Sequence, residues 1–174
     1  MASGKKVSRV GAILILVLSL LAVAVAIIPN YVKDLPVIDT YNYIGSVLDG
    51  KIFDAIKGFS DLNVGIWDIL YKIGLGAPLV IAAGAGFAGI TAIVALISVI
   101  TKKKLGLTIF ALLAFVLTLG YLVLVVAKVV DAAGKFDFDL ILKNLEWVAT
   151  GYWIQLGLTF VAFVTTLFIK KKAA

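Results

Sequence analysis

Cysteine and histidine are both missing from the 174 residues. Without thiols the chain has no disulfide staples, whatever compartment its loops face. Thiolate and imidazole metal sites, cysteine nucleophiles, histidine bases and haem ligation by either residue are excluded with them. Proline occurs only three times, and charged residues make up 15% of the chain, against about a quarter in an ordinary soluble domain. The scarce charge is also unevenly placed, leaving long stretches with none.

Hydrophobic residues fill 63% of the positions and the mean hydropathy is +1.14. Four uncharged runs stand out: 10–28, 77–100, 105–127 and 148–169. Each is long enough, at about 1.5 Å per helical residue, to cross roughly 30 Å of hydrocarbon. Transmembrane strands would alternate apolar and polar positions, and runs such as LVIAAGAGFAGITAIVALISVI do not. Four such helices inside a soluble fold would need an outer layer of amphipathic helices that the chain is too short to supply. The sequence therefore predicts an all-α membrane protein, a four-transmembrane-helix bundle forming a single membrane domain over 1–174. Its outer loops would be 29–76 and 128–147, and no room is left for a separate soluble catalytic domain.

Charge gives the orientation. Lys5, Lys6 and Arg9 precede the first run, Lys102, Lys103 and Lys104 separate the second from the third, and Lys170, Lys171 and Lys172 follow the fourth. Those ends carry no acid, whereas the two longer connections hold seven lysines against ten acids. The positive-inside rule then puts both termini in the cytoplasm and the longer loops outside or in a lumen. The formal charge of +6 is thus a topology signal, and no nucleic-acid partner is expected. A basic start followed by AVAVA at Ala22–Ala26 also has the form of a cleavable signal peptide, though the run is longer than a usual signal core. The final KKAA has the form of a dilysine retrieval signal of the endoplasmic reticulum, and a stop-transfer cluster explains the same residues.

Within the second run, Ala82, Gly84, Ala85, Gly86 and Gly89 are candidate helix-packing residues, since small-xxx-small spacing lets another backbone approach closely. Their partner is either another span of the same bundle or a second chain. GAGFAG at Gly84–Gly89 lies inside this apolar run, so it is no dinucleotide loop. The fourth run opens with Trp147, Tyr152 and Trp153 at the outer boundary, where amphipathic rings sit. Gln155, a few residues further in, needs a hydrogen-bond partner in hydrocarbon; it either bonds a carbonyl or threonine or lines a polar passage. No ionisable side chain lies inside a span, which weakens ion-coupled transport.

The first outer loop carries two amphipathic patterns. Ile44, Val47, Leu48, Ile52, Ala55, Ile56 and Phe59 recur at three and four. A second helix is predicted over DLNVGIWDILYKIG with Asp61 at its N-cap. In the second loop Phe136, Phe138, Leu140 and Leu142 alternate as a short strand would. Asp137 and Asp139 would share one side of that strand, as solvated charges or, with less support, as ligands for a hard cation. Neither a nucleophile–base arrangement nor a calcium loop is visible, so neither catalytic residue, metal nor cofactor is assigned.

The arrangement resembles the claudin and peripheral-myelin-protein-22 superfamily: four spans, basic ends and a first outer loop of roughly fifty residues. IPNYVKD at Ile28–Asp34 is similar to that family's aromatic-basic segment, with Tyr31 in place of tryptophan. GIWDIL at Gly65–Leu70 is similar to its glycine-leucine-tryptophan signature, but Leu70 stands where a paired cysteine belongs. The resemblance implies a largely antiparallel sheet in the first loop, against the helical periodicity of this one.

The function these residues suggest is a non-enzymatic interaction or structural protein of a membrane. It would self-assemble or serve as an accessory subunit of a larger complex, with lipids, further copies or other membrane subunits as partners. Tyr31, Phe53, Phe59, Trp67, Tyr71, Phe136, Phe138 and Trp147 are the outer-loop candidates for contact. A passive channel or small-molecule transporter with a polar route near Gln155 is the alternative.

Overall fold

A computed structural model describes residues 7–27, 47, 49–72, 75–146, 148 and 150–169. Four long helices dominate it: α1 over Arg9–Ile27, α3 over Gly76–Thr101, α4 over Leu107–Ala133 and α6 over Thr150–Phe168. Two short ones lie in the loops between them, α2 over Lys51–Asp61 and α5 over Phe138–Leu145. At 19 to 27 residues each long helix is some 28–40 Å in length, enough to span a bilayer. They form a ring in which α1 packs on α3, α3 on α4, α4 on α6 and α6 back on α1. There is no β-sheet among the described residues.

The sequence spacing explains which face of each helix turns inward. Buried positions step by three and four: Ala12, Ile15, Ser19, Ala22 and Ala26 in α1, and Leu107, Ala111, Ala114, Thr118 and Tyr121 in α4. In α6 they are Tyr152, Gln155, Thr159, Ala162 and Thr166. Helix α3 repeats the pattern at Ile81, Ala85, Ala88, Ala92 and Ala95, with Gly84, Thr91 and Ser98 adding a second row seven residues apart. A repeat of 3.5 keeps one seam facing its neighbours along the whole length, as in a left-handed coiled coil.

What fills that seam is mostly alanine, glycine, serine and threonine, while Val10, Ile13, Leu20, Ile93, Ile109, Val116 and Phe168 point outward. A soluble bundle has the opposite arrangement. In lipid no hydrophobic force separates inside from outside, so small residues that let backbones approach take the interior and large ones face the acyl chains. The chain is a multi-span integral membrane protein.

Three layers stack along the bundle. Near one end Val7, Ala12, Ile15, Ala95, Leu107 and Ile169 cluster; Ala22, Ala88 and Ala114 lie midway; Ala26, Ile81, Tyr121, Val148 and Tyr152 lie at the other end. The first layer joins the start of α1 to the close of α6, so Arg9 and Lys102–Lys104 share an end. There the Val7 N–H donates to the Lys102 carbonyl at 2.9 Å, tying the lead-in of α1 to the α3–α4 turn. Lys102 and Gly106, at φ 57° and 75°, supply the left-handed backbone that such a short reversal needs.

Candidate functional site

The opposite end carries the short elements. Helix α2 follows Gly50 at φ 74° and buries Ile52. Asp61 is its last residue, so the predicted N-cap for a following helix instead closes the preceding one. The expected second helix shrinks to Ile66 and Trp67 followed by a π-helical turn, Asp68–Lys72, with Ile69 buried beneath it. Entry into α3 needs glycine at 76, because a Cβ there would lie 2.8 Å from the Leu70 carbonyl oxygen. The described part of this loop is helical, in contrast to the sheet that the claudin resemblance implies.

The strand expected around Phe136–Leu142 is a helix, α5, because Asp137 caps it: its Oδ1 accepts from the Leu140 N–H at 3.1 Å. Its other oxygen, Oδ2, lies 3.7 Å from Lys135 Nζ. An N-cap preference thus overrides four residues of apolar alternation. Helix α4 also runs six residues past the apolar run that ends at Ala127, carrying Lys128 and Asp131 out on its last turns.

Four predicted contact residues show large exposed rings: Phe53 (56%), Trp67 (67%), Phe136 (70%) and Phe138 (62%). Phe59 and Tyr71 are half-buried, and Trp67 stacks on Tyr71 with ring centroids 5.6 Å apart. Tyr31 and Trp147 lie outside the described residues. Of the small residues in α3, Gly84 and Ala85 are buried, and a Cβ on Gly84 would meet Thr118 of α4 at 2.5–3.3 Å. Ala82 and Gly89 are half-buried, the latter 3.8 Å from Val23 by the same measure, while Gly86 is exposed with open space around it.

Tyr152 departs from its expected place in an aromatic belt. It is fully buried, its ring 4.8 Å from that of Tyr121, and its O–H donates to the Thr118 carbonyl at 2.9 Å. One turn further in, Gln155 is fully buried, and neither its Oε1 nor its Nε2 has a hydrogen-bond partner among the described residues. The buried threonines of the long helices turn their hydroxyls back on their own helices: Thr91 to Phe87, Thr118 to Ala114 and Thr159 to the Gln155 carbonyl, at 2.7, 2.7 and 3.0 Å.

On the outer flank of α4, two hollows meet at Tyr71 and Asp131. One, of about 500 Å³, is walled by Leu122, Val123, Val126, Ala127 and Val130; the other, of about 460 Å³, by Lys72, Lys128 and Ala132. Lys72 Nζ lies 2.8 Å from Asp68 Oδ1, and that hydrogen bond and charge, with a smaller contribution from Asp131, raise the lysine above its ordinary value. Lys128 and Asp131 fall within the expected outer loop 128–147, and on a continued helix their three-residue spacing places them on one side.

No protein-family model, curated protein or solved structure matches this chain.

Proposed function

We propose that this chain is a non-enzymatic interaction protein of a membrane, assembling with copies of itself or with a larger complex through its non-basic end. The observation that carries this is the exposure of Phe53, Trp67, Phe136 and Phe138, each more than half accessible, on segments whose Ile52, Ile69 and Ile141 are buried. Aromatic rings held outward on anchored elements are the residue type enriched at interface hot spots. The basic end, by the positive-inside rule, is assigned to the cytoplasm and the aromatic end to the outer or lumenal side. A kinship with the claudin superfamily belongs to the same proposal and rests on the four-span arrangement.

Mass measurement after purification in mild detergent tests the reading. A particle of several copies supports self-assembly, and stoichiometric foreign chains support an accessory role. A lone chain, unchanged in mass when Trp67 and Phe136 are replaced by serine, overturns both. The passive-channel alternative is favoured by one feature, the unpartnered Gln155 amide. It predicts flux in reconstituted vesicles that changes on Gln155→Leu, and flux equal to that of protein-free vesicles overturns it.

A further inference from the structure

Three stretches of chain that are far apart in sequence meet at the basic end. The Val7 N–H donates to the Lys102 carbonyl at 2.9 Å, and Val7, Leu107 and Ile169 are buried in one cluster. Arg9 opens α1 two residues after Val7, and Lys102 and Lys103 lie in the five-residue turn between α3 and α4. All three cations are exposed. The sequence adds Lys5 and Lys6 before Val7, Lys104 in the same turn, and Lys170–Lys172 after Ile169. A topology signal accounts for the side on which each cluster lies; the folded bundle gathers the clusters onto one small area.

No acid accompanies them. Residues 1–33, 69–130 and 147–174 contain neither aspartate nor glutamate. Among the described residues the ion pairs are Lys51–Asp49, Lys72–Asp68 and Lys135–Asp137, in the loops of the opposite end, and Arg9, Lys102 and Lys103 take part in none. The cations also stand where the apolar outer surface stops. Val10 beside Arg9, Ile100 two residues before Lys102, and Phe168 at the close of α6 are each 70% or more exposed. Acyl chains packed on that surface bring their headgroups to the level of the cations. The turn is too short to lift its lysines clear of the bilayer surface, where an acidic protein or a nucleic acid would have to meet them. A zwitterionic headgroup would bring an ammonium group for which this end has no aspartate or glutamate.

We infer that the basic end is a binding surface for anionic phospholipids, their phosphates drawn to Arg9, Lys102 and Lys103 and their acyl chains lying against the adjoining apolar surface. This is the end opposite the one through which assembly is proposed, so the surface does not depend on that reading. It serves on whichever side of the membrane the end lies.

Native mass spectrometry of the full chain, released from detergent with added phosphatidylglycerol and phosphatidylcholine of identical acyl chains, tests the surface. The wild type is expected to retain phosphatidylglycerol in preference. Replacing Arg9, Lys102 and Lys103 together by glutamine should lower that preference at least about fivefold, the effect of a single interfacial charge at roughly 1 kcal/mol. Replacing Lys51, Lys57 and Lys135 by glutamine removes as much charge from the other end and should leave the preference unchanged. Raising ammonium acetate about tenfold shortens the screening length about threefold, and should weaken the preference of the wild type without altering its sequence. Inorganic phosphate at the concentration of the lipid should displace none of it. Equal retention of the two lipids, an equal loss in both triple variants, an unchanged preference in the first, insensitivity to salt, or displacement by free phosphate overturns the surface. Arg9→Lys, Lys102→Arg and Lys103→Arg in one chain should keep the preference, which separates loss of charge from loss of fold; failure of this variant to keep it, with helical circular dichroism unaltered, counts against the surface as well.

Discussion

Gly84 and Thr118 mark the place where two helix backbones come closest: a Cβ on Gly84 would lie 2.5 Å from the Thr118 hydroxyl oxygen, 3.1 Å from its amide nitrogen and 3.3 Å from its Cα. The hydroxyl can rotate, but the backbone of α4 moves only with the helix. Gly84→Ala is therefore expected to cost about 1–3 kcal/mol, the usual range for overpacking a tight contact. Gly86, two residues on, has nothing within 4 Å of the same construction, so Gly86→Ala should be neutral or gain up to about 1 kcal/mol from helix propensity. Unfolding in mixed micelles, followed by circular dichroism, compares the two. Equal stabilities would mean that α3 and α4 do not approach as described.

Thr118 also receives the Tyr152 O–H on its carbonyl oxygen, so one residue of α4 contacts both α3 and α6. Tyr152→Phe leaves the ring packed on Tyr121 and removes the hydroxyl that donates to Thr118. The expected loss is about 0.6–1.5 kcal/mol, at the low end if the membrane-embedded unfolded state finds other partners. The double variant with Thr118→Ala should show no added coupling, because the acceptor is backbone and survives the substitution. A large coupling energy would instead place the interaction on the Thr118 side chain.

The four spans were legible because their signal is long and needs no partner: each apolar run maps onto a helix within a residue or two at most boundaries. Where α4 overran its apolar stretch, the cause is local, since Lys128 and Asp131 are tolerated in a helix that has left the hydrocarbon. The α5 segment misled for a related reason. Phe136, Phe138, Leu140 and Leu142 alternate, yet a single Asp137 side chain satisfying the Leu140 N–H sets the backbone. Tyr152 and Trp153 are adjacent and chemically alike, and only the 3.5-residue seam distinguishes the buried ring from the partly exposed one. The Gly84 contact lay within a recognisable small-residue stretch, but which glycine meets a neighbour depends on helix rotation, a tertiary property. The paired hollows beside α4 had no sequence signature, since they join a π-helical turn to a helix flank fifty residues away.

Lys72 provides a pH test of that turn. Its pairing with Asp68 raises its folded-state pKa, so the stabilisation is fully present below the ordinary lysine value of about 10.4 and is lost as pH rises through the higher folded value. Side-chain nitrogen NMR should show Lys72 titrating above its ordinary value, and Asp68→Asn should bring it down. Titration at the ordinary value in the wild type would mean that the 2.8 Å pair does not persist in solution.

Gln155 tests whether the polar centre of the bundle is a cost or a device. Both ends of its amide are buried without a partner among the described residues, and the buried Thr91, Thr118 and Thr159 have spent their hydroxyl protons on their own helices. An unsatisfied buried amide costs about 1–3 kcal/mol, and leucine fills a similar volume with no polar atom. Gln155→Leu is therefore expected to stabilise the bundle by a like amount in micelle unfolding, whereas Gln155→Ala should destabilise it by leaving a cavity. A loss of stability in the leucine variant would show that the amide is satisfied in the membrane by water or by a ligand. That outcome would move the passive-channel reading ahead of the interaction reading, because a hydrated glutamine in the bundle seam is the first requirement of a polar route.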